Sequence, residues 1–219
     1  MANPNKTLIV LVVDRSGSMS SIQKDAQGGI NALIKAQAEA EGECLVTLVQ
    51  FDTQYEFVFK ANPAKGLPEY TLIPRGMTAL LDATGRALAE TQEYVASLAE
   101  DDRPGLVTVV IVTDGEENSS KEFTKDQVMA AIKARQDDDK WQFTYLGADA
   151  SAFAVAQDLG LNVGTSAQYV ADAHGVAAAY SSTSAKITRM RSASSRGLDA
   201  LVANVYTDEE RDAMLGNKS

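Results

Sequence analysis

The chain has 219 residues, a formal net charge of −10 and 45% hydrophobic residues, enough for a sizeable core and long for one domain. The charge argues against a general binder of nucleic acid or anionic membrane, whose phosphates it would repel. A single cysteine, Cys44, and a single histidine, His174, exclude an intramolecular disulfide and a Cys/His zinc site and point to an intracellular compartment.

Residues 7–13 are continuously aliphatic and β-branched, which suits a strand buried on both faces in a parallel sheet. The run is too short for a signal-peptide core or a membrane span, and no later run reaches membrane length. Asp14-Arg15-Ser16-Gly17-Ser18 follows as a loop. Ile22, Ala26, Ile30, Leu33 and Ile34 then recur at helical spacing to about Glu41, where Gly42 stops the helix. Residues 44–51 and 55–60 are strands joined by a short turn, so they form an antiparallel hairpin at a sheet edge. Residues 62–74 carry Pro63, Gly66, Pro68 and Pro74 and are loop.

A second helical face runs from Leu80 to about Ala99. Residues 106–113 are another apolar strand, ending in Asp114-Gly115. A helix from Thr124 turns Val128, Met129 and Ile132 inward. A strand over 141–146, a helix over 151–159, a short strand at Tyr169-Val170 and a helix over 173–190 complete the pattern. Strands alternating with helices predict an α/β fold, mostly parallel, with helices on both faces. The pattern weakens after Arg191, so the domain is expected over 1–191. Residues 192–219 are expected as an added tail: a serine-rich linker, then a short helix opened by a capping box at Thr207.

Ligand sites in open α/β sheets lie at the carboxyl ends of strands where the strand order reverses. Two central-looking strands deliver Asp14 and Asp114 there, and Gly76-Met77-Thr78 brings a hydroxyl to a helix N-terminus. In the first loop a carboxylate and two hydroxyls at i, i+2 and i+4 can aim at one point. Such oxygens suit a hard divalent cation.

Asp14, Ser16, Ser18, Thr78 and Asp114 resemble the metal-ion-dependent adhesion site of the von Willebrand factor type A family: Asp-x-Ser-x-Ser, then a Thr, then an Asp on separate loops of one sheet. The resemblance covers roughly residues 6–190. It implies a three-layer Rossmann-like fold with six strands in the order 3-2-1-4-5-6, strand 3 antiparallel at the edge. It implies Mg²⁺, with Mn²⁺ or Ca²⁺ as alternatives, bound directly by Ser16 and Ser18 and directly or through water by Asp14, Thr78 and Asp114. It also implies a coordination position open to an Asp or Glu of a partner protein, and no catalysis. Two carboxylates balance the ion while three hydroxyls add coordination without further negative charge, so the ion stays electrophilic.

Other readings stand beside these. Asp14 and Ser16 could cap the next helix, and Thr78 could cap its own. Glu116 and Glu117 read as solvated loop carboxylates, and Asp137 to Asp139 as an acidic surface turn. Lys186, Arg189, Arg191 and Arg196 read as cations near a helix C-terminus, or as a contact for an acidic partner. An assembly component, of a phage particle or a multi-subunit complex, would use the sheet as scaffold. A phosphatase of haloacid-dehalogenase type would need a second Asp where Ser16 stands. The GxGxxG and Walker signatures of nucleotide sites are absent. The short, disulfide-free form is similar to bacterial or phage members of the family, which implies a cytoplasmic or virion-associated protein.

Overall fold

The computed structural model describes residues 2–148 and 151–217. Six strands, β1 (Asn3–Asp14), β2 (Glu43–Phe51), β3 (Tyr55–Pro63), β4 (Pro104–Thr113), β5 (Gln142–Gly147) and β6 (Ser166–Gln168), form one sheet in the order β3-β2-β1-β4-β5-β6. All neighbours are parallel except β2 and β3, so the predicted order and the antiparallel edge are both observed.

The aliphatic runs are explained by two-sided burial. Ile9, Leu11 and Val13 of β1 face one core, and Leu8, Val10 and Val12 face the other. Helices α1 (Gln23–Glu39) and α5 (Ala173–Ser195) cover the first face. Helices α2 (Leu80–Ser97), α3 (Lys125–Asp138) and α4 (Ala152–Asp158) cover the second. In α3, Val128 and Ile132 are buried, whereas Met129 is 39% exposed. No helix among the described residues is long and apolar enough to cross a membrane.

The carboxyl end of the chain differs most from the sequence reading. Helix α5 continues to Ser195, so the serine stretch expected as a linker begins as helix. Packing overrides its weak propensity. The Arg191 guanidinium donates to the carbonyls of Gln37, Glu41 and Gly42 at the end of α1, and Ser194 reaches Pro4. The last strand lies at Ser166–Gln168, just before Tyr169, whose N–H still donates to Gly147.

Of the basic cluster, Arg196 is exposed and donates to the Ser192 carbonyl, while the other three cations are tied into the fold. Lys186 is fully buried, donates to the Thr165 carbonyl and lies 3.7 Å from the centre of the Tyr206 ring. Arg189 pairs with Glu210 of α6 (Asp208–Met214), which opens with the predicted capping box at Thr207. Arg211 donates to the carbonyls of Val163, Gly164 and Ser166. These cations cover the β6 edge, which would otherwise offer bare carbonyls to another strand. Asp137 and Asp139 pair with Lys133 and Arg135 of α3, as suits a surface turn.

Candidate functional site

β1 and β4 are central neighbours, and their register sets Val13 beside Val112. Asp14 therefore ends level with Thr113, and Asp114 emerges one residue later. The Asp14–Ser18 loop is fixed at both flanks by backbone bonds. Arg15 N–H donates to Phe51 at the end of β2, Arg75 N–H donates to the Arg15 carbonyl, and Gly17 N–H donates to Gly76. Gly76 has φ +71°, and a Cβ there would come within 3.1 Å of the Asp52 Cβ. Only glycine meets both demands without strain.

The fold brings four of the five residues into a connected group and holds the fifth against it. The Ser16 and Ser18 hydroxyls are 3.0 Å apart, and Ser18 Oγ donates to Asp114 Oδ1 at 2.8 Å. Asp14 Oδ1 accepts the Ser16 N–H at 2.6 Å. Thr78 is buried, and a Cβ placed on Gly115 would lie 3.4 Å from both Ser18 Oγ and Thr78 Oγ1. Those hydroxyls thus border one small space.

The spacing fits the chemistry of a small hard cation. Oxygens about 2.0–2.1 Å from Mg²⁺ at right angles are about 2.8–3.0 Å from each other. The Ser16–Ser18 and Ser18–Asp114 separations of 3.0 and 2.8 Å bracket that edge. Among the described residues no three His, Cys, Asp or Glu side chains gather to hold a metal. The site instead combines two carboxylates with three hydroxyls. Gly115 supplies a test. Its added methyl would make ordinary contact with the hydroxyls, so Gly115→Ala is expected to melt like wild type in chelator. Crowding of the shared space is expected to weaken Mg²⁺ binding roughly 10–100-fold, the scale seen when a ligand's surroundings are disturbed. Calorimetric titration of the two proteins measures it, and equal affinities would count against an ion in this space.

Asp14 is fully buried. Burial pushes its carboxyl up to about 6, against the opposing pull of hydrogen bonds from Thr113 and Ser16, with Asp114 adding a smaller upward push. Thr113 Oγ1 donates to Asp14 Oδ2 at 2.6 Å. Both carboxylate oxygens are thus held in place by the protein, and a positive charge nearby would favour the ionised form.

The helix-cap readings of Asp14, Ser16 and Thr78 are not what is observed. Ser16 precedes a 3-10 turn (Gly17–Ser21) without a side-chain capping bond, and α1 begins only at Gln23. At α2 the N-cap position is Ala79, again without a capping bond to its own side chain. The caps come from elsewhere. Glu117 accepts the Leu81 N–H, Ser120 Oγ accepts that of Asp82, and Asn118 Oδ1 accepts that of Thr78. In return Asp82 accepts the N–H groups of Lys121, Glu122 and Phe123. Glu117 is therefore a capping residue and not a solvated carboxylate, and the loop after Asp114 is locked to the helix that follows Thr78. His174 is exposed at the start of α5.

Sequence reading also missed the residue inside the first motif. Arg15 turns inward and is 4% exposed. It contacts Asp52 at 3.1 Å and Glu56 at 2.8 Å, and Arg75 bridges the same two carboxylates. The alternation of buried and exposed positions gives no signal here, because Arg15 lies just past the strand end.

The family model described as von Willebrand factor type A domain matches residues 9–156. No curated protein sequence matches the chain. Among solved structures, the von Willebrand factor type A protein from Catenulispora acidiphila is similar with TM-score 0.60 at 16% identity, over 84% of this chain and 43% of that one. The pilus adhesin SpaC from Lactobacillus rhamnosus GG, in its open conformation, gives TM-score 0.60 at 17% identity, over 84% of this chain and 30% of the adhesin. The domain of the type V pili tip protein Mfa5 from Porphyromonas gingivalis gives 0.55 at 14% identity, over 83% and 94%. The chain thus spans less than half the length of the first two, and at these identities the likeness concerns the fold. With the family model matching 148 of 219 residues (9 to 156) in the strands that carry both aspartates, the chain belongs to the von Willebrand factor type A domain family.

Proposed function

We propose that the chain is a non-enzymatic protein-interaction module that binds a divalent cation, Mg²⁺ or alternatively Mn²⁺ or Ca²⁺, and through it a carboxylate of a partner protein. The observation that carries this reading is the Ser16–Ser18–Asp114 chain of oxygens at 3.0 and 2.8 Å, bordered by Thr78 and backed by the buried Asp14. Bound there, the cation would supply positive charge with a position open to an Asp or Glu. Ser16, Ser18, Thr78, Asp14 and Asp114 would hold it, directly or through water. The solved neighbours that are pilus adhesins or pilus tip proteins support an interaction role. Ser16 stands where a phosphatase of haloacid-dehalogenase type needs its second aspartate, and the single histidine, His174, is exposed at the start of α5, so binding is favoured over hydrolysis.

The test is thermal melting with Mg²⁺ and with chelator, followed by isothermal titration with Mg²⁺. Wild type is expected to gain stability in proportion to the logarithm of ion concentration above its Kd. Asp14→Ala is expected to show no such gain. A wild-type melting curve indifferent to Mg²⁺, Mn²⁺ and Ca²⁺ would overturn the reading.

A further inference from the structure

A groove of about 360 Å³ opens beside the candidate site. Phe51, Tyr55, Met77 and Ala83 line it with apolar surface, and Arg86 and Lys121 are among its charged lining residues. It is continuous with the site through two residues. Met77, 51% exposed, precedes Thr78 in the chain, and Asn118, another lining residue, accepts the Thr78 N–H.

The charges of the groove are matched internally, with one exception. Asp52 is held by Arg15 and Arg75. Asp82 accepts three backbone N–H groups. Glu122 pairs with Arg86, whose guanidinium also lies 5.7 Å from the centre of the Tyr55 ring. The Lys121 ammonium makes no ion pair or side-chain hydrogen bond among the described residues. On a chain of net charge −10, an acidic segment is repelled by the surface as a whole. In the groove, where the other charges are already matched, the unpaired Lys121 ammonium is the one place where an acidic side chain gains a partner.

We propose that this groove reads the partner segment whose carboxylate the site holds, an inference that rests on the metal-bridged reading above. The segment is extended. One apolar side chain next to its metal-binding Asp or Glu enters the groove between Met77 and Tyr55, and a second acidic residue beyond it meets Lys121. Met77 is suited to such a wall, because an unbranched thioether adapts to apolar side chains of differing shape. The groove gives the module a way to distinguish one acidic segment from another, which a lone ion cannot do.

Selection from a library of displayed decapeptides with one fixed Glu, performed in Mg²⁺ on the full chain, tests this. Selected peptides are expected to carry Leu, Met, Ile or Phe within a few residues on one side of the fixed Glu, and Asp or Glu beyond. Lys121→Glu is expected to replace that outer acid by Lys or Arg on reselection. It is also expected to weaken the original peptides roughly two- to fivefold, the scale of an exposed ion pair. Met77→Ala is expected to relax the apolar preference. Mg²⁺ binding is titrated in parallel for every protein. Selection that ignores Lys121→Glu, or no enrichment by a wild type that binds Mg²⁺, would overturn the groove while leaving the metal site standing. A wild type that binds no Mg²⁺ would overturn the reading on which both depend.

Discussion

In chelator at pH 7.5, Asp14→Asn is expected to be more stable than wild type, by at most about 3 kcal/mol. The carboxyl is pushed up from 3.8 to about 6 chiefly by burial. A raised carboxyl keeps its proton in the folded chain over a range where the unfolded chain has lost it. Its favourable contribution is complete below 3.8 and disappears as pH rises through about 6. At pH 7.5 the wild-type fold therefore carries a buried negative charge that weakens it. Asparagine is neutral at every pH and fits the same bonds. Its oxygen can accept the Ser16 N–H, and its amide can donate to Thr113 Oγ1. The Thr113 proton can then turn to the Gly115 carbonyl, already 3.0 Å away.

Urea denaturation of both proteins in EDTA from pH 4 to pH 8 measures the effect. The gap should be largest at the alkaline end and close towards pH 4. Added Mg²⁺ should stabilise wild type alone and so narrow or reverse the order. An Asp14→Asn protein that is less stable than wild type at pH 7.5 in EDTA would show that the carboxylate is not a burden on the fold. The expected pattern is that of a site whose chemistry is kept at some cost in stability.

The first five strands, and the loops on which the five candidate residues stand, were legible because their signals are local. A strand buried on both faces needs an unbroken aliphatic run, and residues 7–13 and 106–113 supply two. The aspartates stand just after them. The network that supports the site was not legible, because its partners are far apart in the chain. Glu117 caps a helix that begins 37 residues earlier, at Leu80. Asp82 ties down residues 121–123, and Asp52 meets Arg15 from the next strand over. A carboxylate in such a role has the same sequence appearance as a solvated one. The carboxyl end was misread for a related reason. Serine is a weak helix former, but in α5 the residues around Arg191 are held by the end of α1 and by Pro4, and no local pattern records those contacts.

Arg15 carries the other large expectation, since it occupies the variable position of the motif and yet is nearly as buried as the aspartate before it. Arg15→Met is expected to lower the unfolding free energy by about 3–5 kcal/mol, the scale for removing one member of a buried ion pair. Its partner Asp52 is 2% exposed and would keep only Arg75, which is half-exposed, and the Gln54 N–H. Glu56→Gln should cost no more than about 1 kcal/mol. Glu56 is 44% exposed, so water can replace what Arg15 provides, even though the guanidinium holds its carboxyl down at about 2. Denaturation of the two single variants and of Arg15→Met/Asp52→Asn separates the causes. If the uncompensated Asp52 charge dominates, the double variant recovers much of the loss. If it recovers none, the loss comes from the packing of the long Arg15 stem beneath the loop. If Arg15→Met costs less than about 1 kcal/mol, the cluster contributes no more than a surface pair, and the Asp14–Ser18 loop is held by its backbone bonds to Phe51, Arg75 and Gly76 alone.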